Sequence, residues 1–448
     1  MVYNYSVCLG SGDSTQSAAL LTVTHRHGPC SPISSDEKAA SVEEVLSQDQ
    51  SRVSWIRSKI SKTSSNSKQL ELLQPPQQPP QGSLELAAAE ISIPARSGRS
   101  LSTGNFVVTV GFGTPKKDMT VVFDTGSDLT WIQCEPCAVF CYSQQEKIFD
   151  PSQSSTYSNF SCNSNQCSQV ASATSNPPGC SSSTCVYAIS YGDQSYSLGF
   201  FSHETLTVGP SDVFPNFQFG CGQRNRGLFG STAGLLGLGR DKISFPSQTA
   251  QKYGNLFSYC LPSSPTSTGY LAFGGGRNGN VIKYTTLLTD QNNPSFYFLD
   301  LIAISVGGIK LAIPQSVFST AGTLIDSGTV ITRLPPSAYQ TLRSAFRKAM
   351  SKYPSAPALS ILDTCFDLSG YSSITVPKIA LLFRGDVQID VPFTGILLGS
   401  GQSQICLAFA GNTDSTDTAI IGNKQQQTLD VVYDVARDRM GFGAGGCS

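Results

Sequence analysis

Two short segments of the chain carry residue types that together could do acid–base chemistry. The first spans Val121 to Ser127 and reads VVFDTGS, and the second spans Thr323 to Thr329 and reads TLIDSGT. In each segment an apolar run ends in an aspartate, Asp124 or Asp326, followed by a hydroxyl residue, Gly and a second hydroxyl residue. Two carboxylates that share one proton act together as general acid and general base. The repeat therefore predicts a site at which a water molecule is activated between two aspartates.

The two segments could instead be ordinary exits from strands into turns, because Asp, Gly, Ser and Thr all favour turns. One such motif arises by chance fairly easily, whereas two copies, each preceded by an apolar triplet, are much rarer. A repeated Asp at the end of matched strands predicts two similar lobes that each offer one carboxylate to a shared cleft. This is the chemistry of an aspartic peptidase.

Length and composition favour a large, turn-rich β protein. The 448 residues predict two or three domains, and 39% hydrophobic against 14% charged residues can form a sizeable core. The 41 Gly and 25 Pro, with frequent Val, Thr, Ser, Tyr and Phe, predict many short strands joined by turns. A net charge of −1 and an isoelectric point of about 6.3 give no electrostatic footprint for nucleic acid or an anionic membrane. We therefore expect neither as a partner, and no apolar run has the length of a membrane span.

Cysteine usage predicts a disulfide framework. Of the 14 Cys, all but Cys8 and Cys30 follow residue 100, which leaves an even dozen in the body of the chain. Such a set is typical of proteins made in an oxidising compartment. Zinc is the alternative, since Cys134, Cys137 and Cys141 have ligand-like spacing, but a second C-x-x-C pair is missing and the chain has only three His. We favour disulfides and expect no metal and no cofactor.

Residues 1–99 differ in character from the rest and predict a removable prosegment. Apolar residues recur at near-helical spacing from Lys38 to Ile60, and a Pro/Gln-rich linker spans Gln74 to Gly82. A disordered tail is the alternative. The cysteines lead us to expect a secretory signal, but the first 24 residues contain neither a basic region nor a long apolar run. Whether the start is truncated or the targeting differs stays open.

The remainder predicts two catalytic lobes, residues 100–289 and 290–448, with a Cys-rich insertion at 134–185 in the first. Asn159 begins a glycosylation acceptor triplet inside this insertion. Other catalytic motifs fail: His203 and Glu204 open a zincin pattern, but Thr207 stands where the second His must be. A G-x-G-x-x-G match that begins at Gly274 lies between two strand-like runs, which favours a hairpin loop.

From about residue 100 to 448 the chain resembles the pepsin-like aspartic peptidases, specifically the plant nepenthesin-type branch. Several family markers follow in order: the two Asp motifs, Trp131, a flap hairpin at Ile189–Asp193, and an apolar-apolar-Gly element in each lobe at Leu235–Gly237 and Ile420–Gly422. The insertion is similar to the nepenthesin-type insert at 149–152 and 154–157, and residues 25–30 are similar to prosegments of plant members.

The resemblance implies a mainly β, bilobal pepsin-like fold, with two pseudo-twofold-related, β-barrel-like lobes, a cleft between them and few short helices. It implies an endopeptidase that is active in acid, is made as a zymogen and binds one water between Asp124 and Asp326. We expect polypeptide substrates, pepstatin-like inhibitors, the chain's own prosegment as a partner and a monomer. Secretion to the apoplast or residence in the vacuole is expected, with the plastid as the alternative. The competing function is a catalytically silent pepsin-like inhibitor or binding protein.

The resemblance also assigns roles around the two carboxylates. Thr125 and Ser327 resemble hydroxyls that reach across the lobes and clamp the pair. Ser127 and Thr329 would bond the outer carboxylate oxygens and favour their ionised form. Gly126 and Gly328 would allow the tight turns and the close passage of the strands, because they carry no side chain.

A mobile flap that closes over an extended substrate is the role implied for Tyr191, Gly192 and Asp193, with Trp131 as the hydrogen-bond partner of Tyr191. Plain strand packing is the alternative for the two aromatic residues. One departure stands out, because Gln194 occupies a position that is Gly in the usual flap. In the second lobe, Asn423 replaces a common Asp, and we expect little consequence.

The family analogy also implies a disulfide pairing, which sequence spacing alone does not determine. The implied bridges are Cys134–Cys137, Cys141–Cys221, Cys162–Cys185, Cys167–Cys180, Cys260–Cys447 and Cys365–Cys406.

Overall fold

A computed structural model of the chain describes most of the body and three parts of the N-terminal segment. The described residues are 19–25, 41–64, 90–94, 105–191, 194–209, 212–227, 229–264, 267–274, 281–320 and 322–447. Within these ranges, no helix combines the length and the apolar character needed to cross a membrane.

Short strands dominate, as the composition predicts. The N-terminal segment contributes β1 (Ala19–His25), α1 (Val42–Ser64) and β2 (Glu90–Pro94). The first half of the body contains β3 (Phe106–Phe112), β4 (Lys117–Asp124), β5 (Trp131–Gln133), β6 (Ser158–Asn159), α2 (Asn165–Thr174), β7 (Gly179–Ser181), β8 (Thr184–Ser190), β9 (Tyr196–Val208), β10 (Asp212–Arg226), β11 (Gly234–Gly237), α3 (Phe245–Gln248), α4 (Ala250–Tyr253), β12 (Leu256–Cys260) and β13 (Thr268–Phe273).

The second half has a comparable make-up. It contains β14 (Lys283–Leu288), β15 (Phe298–Leu299), β16 (Leu301–Val306), β17 (Ile309–Lys310), α5 (Ser316–Ser319), β18 (Thr323–Ile325), β19 (Thr332–Leu334), α6 (Pro336–Ala349), β20 (Ser355–Ala356), β21 (Cys365–Phe366), β22 (Ser373–Pro377), β23 (Ile379–Phe383), β24 (Val387–Asp390), α7 (Phe393–Ile396), β25 (Leu397–Gly401), β26 (Gln404–Leu407), β27 (Phe409–Gly411), β28 (Ala419–Ile421), α8 (Asn423–Gln426), β29 (Leu429–Asp434) and β30 (Arg439–Ala444).

In the first lobe, the three-strand unit β4–β11–β5 positions the first Asp motif, and β3 flanks β4 on its other side. β4 pairs antiparallel with β3 and parallel with β11, in a register that places Gly237 beside Asp124. β11 in turn pairs antiparallel with β5. The apolar side chains of β4, such as Val121 and Phe123, are buried in the lobe's core. The motif therefore emerges at the end of a strand that is fixed on both sides.

The second lobe repeats this arrangement. β18 ends one residue before Asp326 and pairs parallel with β28, with Ile325 beside Ile421. β28 pairs antiparallel with β19 through Ile420 and Arg333. The matched three-strand units confirm the predicted mainly β fold with two similar lobes.

A central sheet joins the two halves of the body. β12 pairs antiparallel with β13 on one side and with β29 on the other, and β29 continues to β30. The rings of Phe257 and Tyr433 stack across this junction with centroids 4.4 Å apart. Because buried aromatic pairs resist separation, the junction holds the two lobes in a fixed relation.

The N-terminal segment is built into the body. β1 pairs antiparallel with both β13 and β3, so it lies between them, and β2 pairs antiparallel with β22.

Helix α1 begins at Val42, four residues after the predicted start, because Ser41 and Glu44 form a reciprocal capping box. The N-terminal three residues of the predicted helix and the Pro/Gln-rich linker lie outside the described residues.

The disulfide pairing implied by the resemblance is wrong for four of the bridges. The structure pairs Cys134 with Cys221 and Cys137 with Cys141. Residue 221 lies on β10, which runs parallel to β5, and the Cys134 backbone N–H donates to the Gly222 carbonyl. Cys134 is therefore held beside Cys221, and the short loop that follows closes on itself.

In the insertion, Cys162 pairs with Cys180 and Cys167 pairs with Cys185. Cys180 and Cys185 are direct partners in the β7–β8 hairpin, with Cys180 at an exposed position and Cys185 at a buried one. The buried Cys185 is bonded to Cys167 of α2, and the exposed Cys180 is bonded to Cys162, which precedes the helix. Two bridges have the implied pairing, Cys260–Cys447 and Cys365–Cys406.

Candidate active site

The structure brings Asp124 and Asp326 together, and each carboxylate is held by its own loop. In the first loop, the Gly126 backbone N–H donates to Asp124 Oδ1 at 3.0 Å, and Ser127 Oγ donates to Asp124 Oδ2 at 2.8 Å. Asp124 is buried, with 1% of its surface exposed. The loop thus supplies two donors to the carboxylate, which fix its orientation.

The second loop repeats this geometry. The Gly328 backbone N–H donates to Asp326 Oδ1 at 3.1 Å, and Thr329 Oγ1 donates to Asp326 Oδ2 at 2.5 Å. Asp326 is fully buried. The two carboxylates therefore occupy equivalent environments, as two sites related by a pseudo-twofold axis would.

Thr125 and Ser327 link the two loops across the lobes. The Thr125 backbone N–H donates to Ser327 Oγ at 3.1 Å, and the Ser327 backbone N–H donates to Thr125 Oγ1 at 2.9 Å. The two hydroxyl oxygens are 3.3 Å apart. This reciprocal set matches the clamp that the resemblance assigns to these residues.

Glycine is required where the two loops pass each other. A Cβ on Gly126 would lie 2.7 Å from Asp326 Oδ1, and a Cβ on Gly328 would lie 2.6 Å from Asp124 Oδ1. Such approaches are closer than van der Waals contact allows. Any side chain at either position would displace the carboxylate of the opposite lobe.

The apolar-apolar-Gly elements pack directly behind the loops. A Cβ on Gly237 would lie 2.2 Å from the Asp128 carbonyl oxygen, and one on Gly422 would lie 2.5 Å from that of Val330. Their backbone N–H groups donate to Thr130 Oγ1 and Thr332 Oγ1, each at 3.1 Å. Asn423, which follows Gly422, donates its side-chain N–H to the Ser327 carbonyl at 3.0 Å.

The β8–β9 hairpin carries the predicted flap tyrosine. Trp131 Nε1 donates to Tyr191 Oη at 2.8 Å, and both residues are buried. Gly192 and Asp193 lie outside the described residues. Gln194 follows with φ +67°, in the left-handed region that favours Gly, which explains why the usual flap has Gly there.

Helix α1 lies in the cleft, and Arg52 forms hydrogen bonds with both carboxylates. Nη2 donates to Asp124 Oδ1 at 2.6 Å and to Asp326 Oδ1 at 2.9 Å. Nη1 donates to Asp124 Oδ2 at 3.2 Å, and Nε donates to Asp326 Oδ2 at 2.9 Å. Since one nitrogen reaches both inner oxygens, the two carboxylates are close enough to hold a single small group between them. Here the guanidinium of the chain's own N-terminal segment takes that place.

The charges of this cluster determine its protonation. Burial alone would raise the pKa of Asp326, but the charge of Arg52 and hydrogen bonds from Arg52, Thr329 and Gly328 hold that pKa below its usual range. Burial alone would likewise lower the pKa of Arg52, yet the two carboxylates raise it well above its usual value. Arg52 is therefore held as a cation and Asp326 as an ionised carboxylate.

Several further contacts hold α1 in the cleft. Asp49 forms an ion pair with Arg333 at 2.8 Å, and Arg57 forms one with Asp417 at 3.1 Å. The ring of Trp55 lies against Tyr191, with centroids 6.1 Å apart. Apolar side chains of the helix pack against the second lobe, namely Leu46, Val53 and Ile56.

Asp128, at the base of the first catalytic loop, is a second buried carboxyl. Burial raises its pKa to about 7, against the hydrogen bond that it accepts from the Asp241 backbone N–H at 2.8 Å. The charge of Asp241 raises the pKa further, and that of Lys59 on α1 lowers it. The site thus contains a carboxyl that titrates near neutrality but does not contact the two central aspartates.

The sequence predicted helix α1 but not the buried contacts that its residues Asp49 and Arg52 make with the two lobes. The available signal is their spacing with Val53 and Ile56, since positions i, i+3, i+4 and i+7 lie on one face of a helix. Two opposite charges on the apolar face of a helix indicate buried partners elsewhere. Among the residues that the structure describes, no group of three or more His, Cys, Asp or Glu is arranged to hold a metal ion.

The chain is similar to known proteins in both sequence and fold. Two family models match the chain, one described as xylanase inhibitor N-terminal over residues 106–275 and one as xylanase inhibitor C-terminal over residues 296–444. An aspartyl protease family protein of Arabidopsis thaliana is 51% identical over 99% of this chain and 90% of the relative. Aspartic proteinase nepenthesin-2 of Nepenthes gracilis is 38% identical over 76% of this chain and 77% of its own length.

Among solved structures, basic 7S globulin from soybean is similar with a TM-score of 0.61 and 25% identity, over 79% of this chain and 96% of the globulin chain. The fold, the paired Asp loops and these identities lead to one conclusion. The chain belongs to the plant pepsin-like aspartic protease family.

Proposed function

We propose that the chain is an aspartic endopeptidase that hydrolyses polypeptides in acid and is made as a zymogen. The observation that carries the proposal is the pair of equivalent carboxylates, Asp124 and Asp326, which lie within hydrogen-bonding distance of one nitrogen of Arg52. A site that holds a guanidinium between two carboxylates can also hold a water molecule there once the helix has left.

Each residue of the site has a defined task in this mechanism. With one proton shared between Asp124 and Asp326, the ionised carboxylate takes a proton from the water as its oxygen attacks the peptide carbonyl carbon. The protonated carboxyl donates a hydrogen bond to the developing oxyanion. Collapse of the tetrahedral intermediate breaks the C–N bond, and the leaving nitrogen receives a proton from the pair.

The surrounding contacts support this chemistry. The bonds from Ser127 and Thr329 fix the outer oxygens, so that the inner oxygens face the water. The clamp between Thr125 and Ser327 keeps the carboxylates at a constant separation, which preorganises the site. Tyr191, held by Trp131, would cover the substrate once Trp55 has withdrawn.

The zymogen proposal follows from the position of α1. Arg52 neutralises both carboxylates, and the helix fills the space that a substrate needs. The pKa of Asp326 is lowered in the folded state, so the ion pair stabilises the docked helix above the ordinary aspartate pKa of about 3.9. That contribution is lost as the pH falls through the lowered pKa. Acid should therefore release the helix.

A direct test is hydrolysis of an unfolded protein by the purified full chain. We expect cleavage after incubation at acidic pH, inhibition by pepstatin, and no cleavage by the Asp124→Asn chain prepared in the same way. The Asn variant preserves shape and the Ser127 contact but cannot act as a base. A processed wild-type chain that is inactive across the acidic range would contradict the proposal.

A second candidate is a catalytically silent binding protein, because the matching family models are described as xylanase inhibitors. The complete set of carboxylates and supporting hydroxyls favours catalysis. Binding of the chain to a xylanase, without cleavage of any peptide, would favour the second candidate.

We also propose that the chain matures in an oxidising compartment, on the way to the cell exterior or the vacuole. Six disulfides and no free cysteine occur among the described residues. Asn159, the glycosylation candidate, is exposed on β6, and its Oδ1 accepts from Ser202 Oγ at 2.8 Å. Mass spectrometry of the mature protein, intact and reduced, would determine its new N-terminus, its disulfide count and any glycan on Asn159.

A further inference from the structure

We propose that Arg333 and the backbone N–H groups of Val330 and Ile331 form a subsite that selects an acidic side chain in the substrate. This inference rests on the proposed peptidase activity and adds a specificity to it. In the structure, the side chain of Asp49 occupies this subsite, and Asp49 belongs to the same helix that blocks the catalytic carboxylates.

The contacts of Asp49 define the chemistry of the subsite. Its Oδ1 accepts from the Val330 N–H at 2.6 Å, and its Oδ2 accepts from the Ile331 N–H at 3.2 Å and from Arg333 Nη2 at 2.8 Å. The side chains of both ion-pair partners are buried, with 0% of Asp49 and 1% of Arg333 exposed. Three donors and one positive charge around two oxygens are the arrangement that a carboxylate requires.

The donors belong to the body of the protein, so the subsite remains when α1 leaves. Arg333 lies on β19, which pairs with β27 and β28, and its Nη1 donates to the Ile331 carbonyl at 2.9 Å. Once α1 leaves, the Arg333 guanidinium and two backbone N–H groups lose their carboxylate partner and line the opened cleft. Because charge-assisted hydrogen bonds to a carboxylate are the strong ones, an anionic replacement is favoured.

The subsite lies next to the catalytic centre. Asp49 precedes Arg52 by three residues, or about 4.5 Å along a helix axis. Val330 follows Asp326 by only four residues. Because an extended peptide advances about 3.3 Å per residue, the subsite should accept a side chain within two residues of the cleaved bond.

Few charges in the described ranges compete with this assignment. Two charged residues of α1 lie near Arg333. Asp49 forms an ion pair with it, whereas burial and the charge of Arg333 lower the pKa of Arg57, and both residues leave with the helix. From the second lobe, Lys424 donates its backbone N–H to the Val330 carbonyl, but its ammonium group contacts Gln427. An incoming carboxylate would therefore pair with Arg333.

The experiment compares peptides that differ only by Glu or Gln. A cleavable sequence is made with Glu, and separately with Gln, at each of three positions on either side of the bond. The enzyme is obtained by acid processing of the full chain, and kcat/KM is measured at pH 5.5. At one position we expect Glu to be favoured over Gln about tenfold, the effect of one charged hydrogen bond. The preference should fall toward one at pH 3, because the Glu carboxyl, with a pKa of about 4.3, is then protonated.

Two substitutions locate the preference. Arg333→Met should abolish it while leaving cleavage of the Gln peptides measurable. The matched control is Arg343→Met, which removes an arginine that pairs with Asp363 at the surface, and it should keep the preference. If the Arg333→Met chain does not fold, the wild-type ratio of kcat/KM for the Glu and Gln peptides is the test. A ratio that does not fall between pH 5.5 and pH 3 would overturn the subsite.

The outcomes separate the subsite from the activity. Equal cleavage of Glu and Gln peptides at every position, or a preference that survives in Arg333→Met, overturns the subsite and leaves the peptidase proposal intact. No cleavage of any peptide overturns the peptidase proposal, and the substrate subsite with it.

Discussion

At the scale of single residues, the proposed inhibition and the proposed catalysis depend on the same four carboxylate oxygens. Arg52 uses three nitrogens to satisfy all four, and loop donors from Ser127 and Thr329 bind the outer two at the same time. Removing one partner of a buried ion pair leaves the other charges uncompensated, which costs about 3–5 kcal/mol. The loss of Arg52 alone should therefore undock the helix.

Arg52→Gln should accordingly process itself at higher pH than the wild-type chain, since helix release no longer requires protonation of the carboxylates. The measurement is the rate of appearance of the mature chain on gels between pH 3 and pH 7. Arg347→Gln, at the exposed end of α6, is the matched control and should behave as wild type. Identical pH profiles for Arg52→Gln and wild type would contradict the inhibitory role of Arg52.

The interlobe clamp gives a second prediction at this scale. Thr125→Val removes the oxygen that accepts from the Ser327 N–H and leaves that buried group unpaired, at a cost of about 1–3 kcal/mol. We expect lower thermal stability and a lower kcat. Thr125→Ser retains the oxygen and should stay close to wild type in both. A Val variant as active and stable as the Ser variant would exclude a role for the hydroxyl.

At the scale of elements, the sequence predicted the strands and the helix whose own apolar pattern shows that they are buried. The apolar runs before Asp124 and Asp326 predicted buried strands, and the helical spacing after residue 38 predicted α1. The occupant of the cleft was not predictable, because the partners of Arg52 lie far along the chain, at separations of 72 and 274 residues. The disulfide pairing failed for a related reason: spacing does not reveal that Cys185 is buried against α2 whereas its hairpin partner Cys180 is exposed.

The flap hairpin carries a prediction that concerns its backbone. Gln194 has φ +67°, where Gly is unstrained and β-branched residues are strongly disfavoured. Gln194→Gly should keep thermal stability within about 1 kcal/mol of wild type, because relief of strain offsets the greater freedom of the unfolded chain. Gln194→Val should raise KM and expose the flap to an added protease. Equal KM values for the Val and Gly variants would show that the tip conformation does not matter.

At the scale of the whole molecule, the N-terminal segment is held at two distant places. β1 lies between β13 and β3 in the sheet that joins the lobes, whereas α1 lies in the cleft above the carboxylates. Removal of the whole segment in the proposed zymogen would therefore require both the release of a helix and the withdrawal of a strand from a sheet. The helix is held by ion pairs as well as by apolar contacts, so its docking should respond to pH, whereas the strand is held by backbone hydrogen bonds, which should not.

Asp128 should make the stability of the whole molecule depend on pH in the opposite sense to Asp326. Its pKa is raised to about 7, so the folded chain keeps a proton that the unfolded chain releases near pH 4. Stability from this group is complete below pH 4, declines as the pH rises from about 4 to 7, and is absent above. Asp128→Asn should therefore be more stable than its parent at pH 7.5, by at most about 4 kcal/mol, and the difference should vanish near pH 4. Thermal unfolding of both chains from pH 4 to 8, each carrying Asp124→Asn to prevent self-cleavage, isolates this contribution because all other groups cancel. A difference that does not change with pH would mean that Asp128 is already ionised in the folded chain, and that the Asp241 N–H and Lys59 outweigh its burial.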